Sequence, residues 1–147
     1  MGVDAAVYRR LEDLPLQRGD LRFVEVDPRT GQVDFENADL FQTWKDKVKV
    51  IEKRIGNMSH VDRLKAELSG VLGKSSSGSL LISKVLYSGT HSGDFIGREY
   101  LTPLKNEIAL VRRVSERQIS SELNSFLGDM EDLIAASTQN GNPIVFI

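Results

Sequence analysis

The sequence contains no cysteine in its 147 residues. This absence excludes disulfide bonds, a thiolate nucleophile and any cysteine-ligated zinc or iron–sulfur cluster, and it is compatible with a reducing cytoplasm. Histidine is scarce as well, since only His60 and His91 are present. The segment His60-Val61-Asp62 has neither the spacing nor the further ligands of a zinc site. We therefore expect no metal and no cofactor.

Long apolar runs and an excess of one charge are also missing. No segment approaches the ~20 apolar residues that cross a bilayer, and the N-terminus lacks the basic start and apolar stretch of a secretory signal. We therefore expect a cytoplasmic protein that does not bind membranes. Because 19 Lys and Arg face 21 Asp and Glu, the net charge of -2 gives no overall electrostatic reason to bind nucleic acid directly.

What remains is the composition of an ordinary globular protein. Hydrophobic residues make up 40% of the chain and charged residues 27%, which excludes disorder and a coiled-coil rod. The length is close to the ~150 residues of one domain. We predict a single globular domain over residues 1–147, without internal repeats.

Five segments have the apolar, β-rich composition of strands. Leu21–Val26 and Gln32–Phe35 flank the turn Asp27–Gly31, and together they predict a hairpin. Leu80–Tyr87 is almost continuously apolar, which predicts a central strand in the middle of a sheet. The other two are the opening segment Val3–Tyr8 and the closing segment Ile144–Ile147.

Two helices are predicted between the hairpin and the central strand. Apolar residues three or four positions apart from Leu40 to Ile55 predict a first helix of about four turns. Ser59, with Asp62 three residues later, has the pattern of an N-cap for a second helix that ends at Gly73. The small, polar segment Lys74–Ser79 is then expected to be the most mobile loop of the molecule.

Two further helices are predicted before the last strand. The spacing of Leu101, Leu104, Ile108 and Val111 predicts the third, and Ser115 is the expected N-cap of a fourth that ends at Asn140-Gly141. This order of elements indicates an α+β fold. We predict a mixed sheet of about five short strands, with about four helices packed mainly on one face.

The loop after the predicted central strand concentrates hydroxyl, imidazole and carboxylate groups. Its candidate partner-binding residues are Ser88, Thr90, His91, Ser92 and Asp94. Two interpretations are open: the polar side chains cap local backbone groups, or the loop binds a partner and His91 makes that contact pH-sensitive. A Ser-His-Asp hydrolase is disfavoured, because three neighbours in one turn rarely converge on one reacting centre.

The predicted first helix is locally basic. Its residues Lys45, Lys49 and Lys53 are candidate contacts for an acidic partner, and the alternative is a solvated face opposite Trp44. Gly73-Lys74-Ser75 has the ending of a phosphate-binding loop. That motif requires glycine where Leu68 stands and a preceding strand where a helix is predicted, so a nucleotide site is disfavoured.

Three stretches carry a family resemblance: Met1–Tyr8, Leu86–Ile96 with Leu101, Leu104 and Glu107 behind it, and Gly141–Phe146. With this order of strand, Ser/His/Gly/Asp loop, helix and short Pro-Ile-hydrophobic strand, the chain resembles small bacterial immunity proteins of polymorphic toxin systems, among them contact-dependent and type VI secretion systems. The resemblance implies a protein that is no enzyme, binds a cognate toxin domain and occludes its active site. It also implies a toxin that acts in the cytoplasm, on nucleic acid, nucleotide or another cytosolic target.

Two other functions remain open. A small ligand-binding or enzymatic domain would use the loop from Ser88 to Asp94, and a non-catalytic adaptor subunit would bind a partner that is not toxic. For toxin binding, the sequence offers the basic segment and the loop as candidate surfaces, and it does not predict the oligomeric state. A loop that binds a partner should have exposed side chains, whereas side chains that bond local backbone groups indicate a structural role.

Overall fold

The computed structural model describes residues 2–89, 91–114 and 118–147. Within these ranges the helices are α1 (Ala38–Trp44), α2 (Met58–Leu72), α3 (Leu101–Val114) and α4 (Ser121–Asn140). The strands are β1 (Gly2–Tyr8), β2 (Val24–Val26), β3 (Val33–Phe35), β4 (Lys49–Asn57), β5 (Phe95–Ile96) and β6 (Ile144–Phe146). Short 3-10 turns lie at Leu11–Asp13, Leu21–Phe23, Gly73–Gly78 and Arg98–Tyr100, and a π-helical turn lies at Leu81–Val85. The fold is α+β, as the sequence predicts.

The main sheet has four strands in the order β4-β1-β6-β5, and every neighbouring pair is antiparallel. The predicted opening and closing strands are confirmed as its two central strands. The predicted hairpin is confirmed too, but β2 and β3 form a separate two-stranded sheet. The main sheet thus has four strands where about five were predicted, and it is antiparallel where a mixed sheet was predicted.

The two faces of the main sheet bury different residues, because alternate side chains of a strand point to opposite faces. On β1, Val3, Ala5 and Val7 join a core with α2, α3 and α4. Ala6 and Tyr8 join a smaller cluster that includes side chains of the hairpin. The α2, α3 and α4 helices thus cover one face, and the hairpin covers part of the other.

The predicted first helix, from Leu40 to Ile55, is the largest error of secondary structure. The helix ends at Trp44, and β4 pairs along β1 from Gly2↔Asn57 to Tyr8↔Lys49. Residues at positions 48, 50, 51 and 55 are all Val or Ile, which favour strands. Ile51 and Ile55 satisfy a helical spacing only by coincidence. The pairing with β1 determines the structure of this segment.

The predicted central strand Leu80–Tyr87 is also wrong. The segment forms the π-helical turn, and Leu81, Val85 and Leu86 are buried in the helical core. Side chains cap its start: the Leu81 N–H donates to Glu107 Oε2 at 2.8 Å, and the Ile82 N–H donates to Ser79 Oγ at 3.1 Å. A short apolar run is compatible with either a buried strand or a buried helical segment. The two side-chain bonds at its start stabilise the helical turn.

The helix boundaries are partly as predicted. The stops at Gly73 and Gly141 are confirmed, but α2 begins at Met58 because Asn57, not Ser59, accepts the capping bond from the His60 N–H at 2.8 Å. Ser115 lies outside the described residues, and the N-cap of α4 is Ser120. Most of the predicted mobile loop Lys74–Ser79 belongs to the 3-10 turn.

Candidate functional site

The loop from Ser88 to Asp94 connects the π-helical turn to the edge strand β5. Its last residues continue the pairing with β6, since the Gly93 N–H donates to the Phe146 carbonyl at 2.7 Å and the Phe146 N–H donates to the Asp94 carbonyl at 2.9 Å. Its start packs closely as well: a Cβ on Gly89 would lie 2.7 Å from the Met58 Cα. The loop is therefore held at both ends.

His91 is the buried centre of this loop. Its side chain is 7% exposed, and its ring lies 4.3 Å from the Tyr87 ring and 4.3 Å, edge to face, from the Phe146 ring. Neither ring nitrogen has a hydrogen bond of normal geometry within the described ranges. Burial lowers the pKa of His91 below 6.5, and a weaker interaction with the Ser88 backbone opposes this shift. The imidazole is thus a packing group and offers a partner no accessible nitrogen.

The other candidates in the loop divide between interior and solvent. Ser88 is half-buried, Ser92 and Asp94 are exposed, and Thr90 lies outside the described residues. The Tyr87 hydroxyl donates to the Asp94 carboxylate. Ser88 and His91 therefore belong to the interior of the loop, which agrees with a structural role. Ser92 and Asp94 are accessible to a partner.

The accessible half opens into a cleft of about 330 Å³ between the hairpin and the β5 edge. We call it the β5 cleft; it is lined by Arg29, Ser83, Lys84, Tyr87, Gly93, Asp94 and Phe95. Tyr87 and Phe95 are each 42% exposed. Phe95 pairs with Val145, so its side chain lies on the hairpin face of the sheet.

Local bonds place Arg29 at the rim of the β5 cleft. The Arg29 N–H donates to Asp27 Oδ1 at 2.8 Å, and this bond is the main reason that the pKa of Asp27 lies below its usual value. Gly31 has a φ of 75°, as the turn requires. The Arg29 side chain is 77% exposed, with one ion pair of 3.8 Å to Asp27.

The three lysines of the predicted basic helix do not share one helix. Lys45 is exposed at the end of α1, whereas Lys49 and Lys53 lie on β4. Lys49 pairs with Glu52 at 3.0 Å. Lys53 pairs with Asp129 at 3.5 Å and with Asp132 at 3.2 Å, and the Asp132 bond is the main cause of its raised pKa. Two of the three lysines therefore bind acids of this chain.

The sequence analysis does not single out five residues of the β5 cleft: Arg29, Ser83, Lys84, Tyr87 and Phe95. Tyr87 and Phe95 border the predicted loop, so their aromatic character was a usable signal. Lys84 was assigned to a strand in mid-sheet. Arg29 was assigned only to a turn, and the approach of the hairpin to β5 depends on tertiary packing that no local pattern encodes.

The described residues show no group of three or more His, Asp or Glu side chains placed to hold a metal ion. Within the same ranges, none of the helices combines the length and the apolar character needed to span a membrane. Comparison with models of known protein families, with curated proteins and with solved structures gives no match for this chain.

Proposed function

We propose that this chain is a cytoplasmic immunity protein that binds a cognate toxin domain and occludes its active site, with the β5 cleft at the centre of the interface. The observation that carries the proposal is the pair of half-exposed aromatic side chains, Tyr87 and Phe95, beside the exposed Arg29. Aromatic residues and arginine are enriched in protein interfaces, and tyrosine and arginine are frequent hot spots.

The aromatic pair is held in place before any partner binds. Tyr87 stacks against His91 and bonds Asp94, and Phe95 lies in a strand paired to β6. Side chains that are already ordered lose less conformational entropy on association. Rigid aromatic groups of this kind suit tight binding of a protein surface.

The same geometry weighs against an enzymatic or ligand-binding domain built on the predicted loop. Such a domain would need His91 to face the cleft, where a substrate could reach it. His91 is instead enclosed between Tyr87 and Phe146. A non-catalytic adaptor would use the same aromatic surface, so only the nature of the partner separates it from an immunity protein.

The test has two stages. The tagged chain is used to capture partners from its native host, and each captured protein is expressed as isolated domains with and without this chain. We expect one domain to stop growth and co-expression of the unaltered chain to restore it. A captured partner without any toxic domain would assign the chain to the adaptor class.

Two matched variants locate the interface. Phe95→Asp places a charge in the β5 cleft, and Phe41→Asp makes the same change at a side chain on α1 that is 47% exposed. We expect Phe41→Asp to protect cells fully and Phe95→Asp to lose protection while keeping its melting temperature. Equal protection by both variants would show that the toxin binds elsewhere.

A further inference from the structure

The two cations of the β5 cleft have few internal partners. Arg29 has the ion pair of 3.8 Å to Asp27, and the Lys84 ammonium lies 4.6 Å from the centre of the Tyr100 ring. Within the described ranges, no ion pair involves Lys84. Among the described lining residues the one acid is Asp94, which accepts the Tyr87 hydroxyl bond and keeps its negative charge. An entering anion would therefore meet two cations with N–H donors to spare, Arg29 and Lys84, against one carboxylate, Asp94.

We propose that the β5 cleft receives one carboxylate side chain of the partner, flanked by an apolar side chain that packs against Phe95 and Tyr87. The guanidinium of Arg29 presents a planar fork of donors that matches a carboxylate, and the Lys84 ammonium adds a second positive charge. This inference rests on the proposed function, because a protein partner supplies both side chains.

The volume of the cleft fits such an anchor. At about 330 Å³ it lies at the lower end of the range of ligand pockets. It accepts a pair of side chains and excludes a folded element. Tyr87 and Phe95, each 42% exposed, offer ring surface for the apolar side chain that flanks the carboxylate.

The surrounding charges restrict the anchor to a single carboxylate. Residues 11–39, which include the hairpin, contain eight acidic and three basic side chains. Glu25 and Asp34 stand directly opposite each other on β2 and β3. A strongly acidic partner would be repelled by this surface, whereas one carboxylate beside apolar groups is accepted at the hairpin tip.

The test titrates the ¹⁵N-labelled full chain with two blocked dipeptides, phenylalanine–glutamate and phenylalanine–glutamine. We expect the amides of Gly93 and Phe95 to shift with the glutamate peptide, and the glutamine peptide to bind about tenfold more weakly. In Arg29→Gln and in Lys84→Gln the preference for glutamate should shrink. Arg18→Gln, at an exposed arginine that precedes the hairpin, should keep it.

Equal binding of the two peptides, or no shift with either, would overturn the inference. Titration with adenosine monophosphate provides a further arm, and tighter binding of that nucleotide than of the glutamate peptide would reassign the cleft to a nucleotide. Because the titration needs no toxin, its failure is distinct from a failure of protection. If the chain bound the glutamate peptide but neutralised no toxin, the proposed function would be refuted and the carboxylate preference of the cleft would stand.

Discussion

The two faces of the main sheet support cores of very different size. On the helical face, 23 buried side chains of the described residues form one cluster, drawn from all four strands of the main sheet, the π-helical turn and α2, α3 and α4. On the hairpin face, the corresponding cluster has six, and two of them are Ala6 and Val145. Because stability grows with the apolar area removed from water, the helical face stabilises the fold far more.

This difference indicates that the region that stabilises the fold and the region that binds a partner are distinct. Regions with few buried contacts open at lower free energy, and binding elements are often found among them. The β5 cleft lies where the two regions meet. His91 packs against Phe146 of the central strand β6, and Tyr87 packs on His91, whereas Arg29 reaches the cleft from the thinly packed hairpin.

The largest expected effect compares one substitution on the two faces. Leu133 is fully buried on the helical face, and Leu14 is buried in the hairpin-side cluster. We expect Leu133→Ala to lower the free energy of unfolding by about 4–5 kcal/mol and Leu14→Ala by about 2 kcal/mol, because a thin layer relaxes around a cavity. Urea unfolding measures both, and an equal loss would refute the difference between the faces.

The second prediction concerns His91, which attaches the loop to the helical face. Because burial lowers the pKa of His91 in the folded chain, the unfolded chain binds more protons below about pH 6.5. Stability is therefore complete above that pH and is lost as the pH falls toward the lower, folded value. We expect the melting temperature of His91→Leu to fall less than that of the unaltered chain between pH 7.5 and 5.

The second histidine provides the control for this prediction. His60 lies in the first turn of α2 and is half-exposed, 3.6 Å from Glu122. We expect His60→Gln to retain the loss of stability that His91 causes on acidification. If His91→Leu and the unaltered chain lost stability in parallel, the buried imidazole would have no part in it.

The helices of the large core were the part of the fold most predictable from sequence. In α3 and α4 the apolar spacing, Pro103 in the first turn and Gly141 at the end agree with each other, so local and tertiary preferences coincide. At β4 they conflict. Val48–Ile55 satisfies helical spacing and strand composition at once, and only its pairing with β1 decides.

The candidate site was less predictable, for a similar reason. The loop residues Ser92 and Asp94 are exposed as a binding loop requires, but His91 is buried by Phe146, which lies 55 positions later in the chain. The spacing of residues within a loop does not reveal which side chains a distant strand will cover. The contribution of Arg29 to the β5 cleft depends on tertiary packing in the same way.

The third prediction compares helix caps on the two faces. Ser120 accepts the Leu123 N–H at 3.1 Å, and the Glu67 carboxylate accepts two bonds from Ser120, each of 2.8 Å. We expect Ser120→Ala to cost about 1–2 kcal/mol of unfolding free energy, and Asn37→Ala, at the cap of the short α1, to cost about 0.5 kcal/mol. Urea unfolding measures both, and a larger loss at Asn37 would contradict the comparison.

The smallest effect is expected at the paired acids of the hairpin. Glu25 and Asp34 are exposed and directly opposite, and like charges at such positions destabilise a strand pair. Glu25→Lys replaces the repulsion by attraction, and we expect it to stabilise the hairpin by about 0.2–1 kcal/mol. Asp46→Lys, an equal change of charge at an exposed position outside the strands, should leave hydrogen exchange of the β2 and β3 amides unchanged. Slower exchange in both variants would attribute the gain to net charge and not to the strand pair.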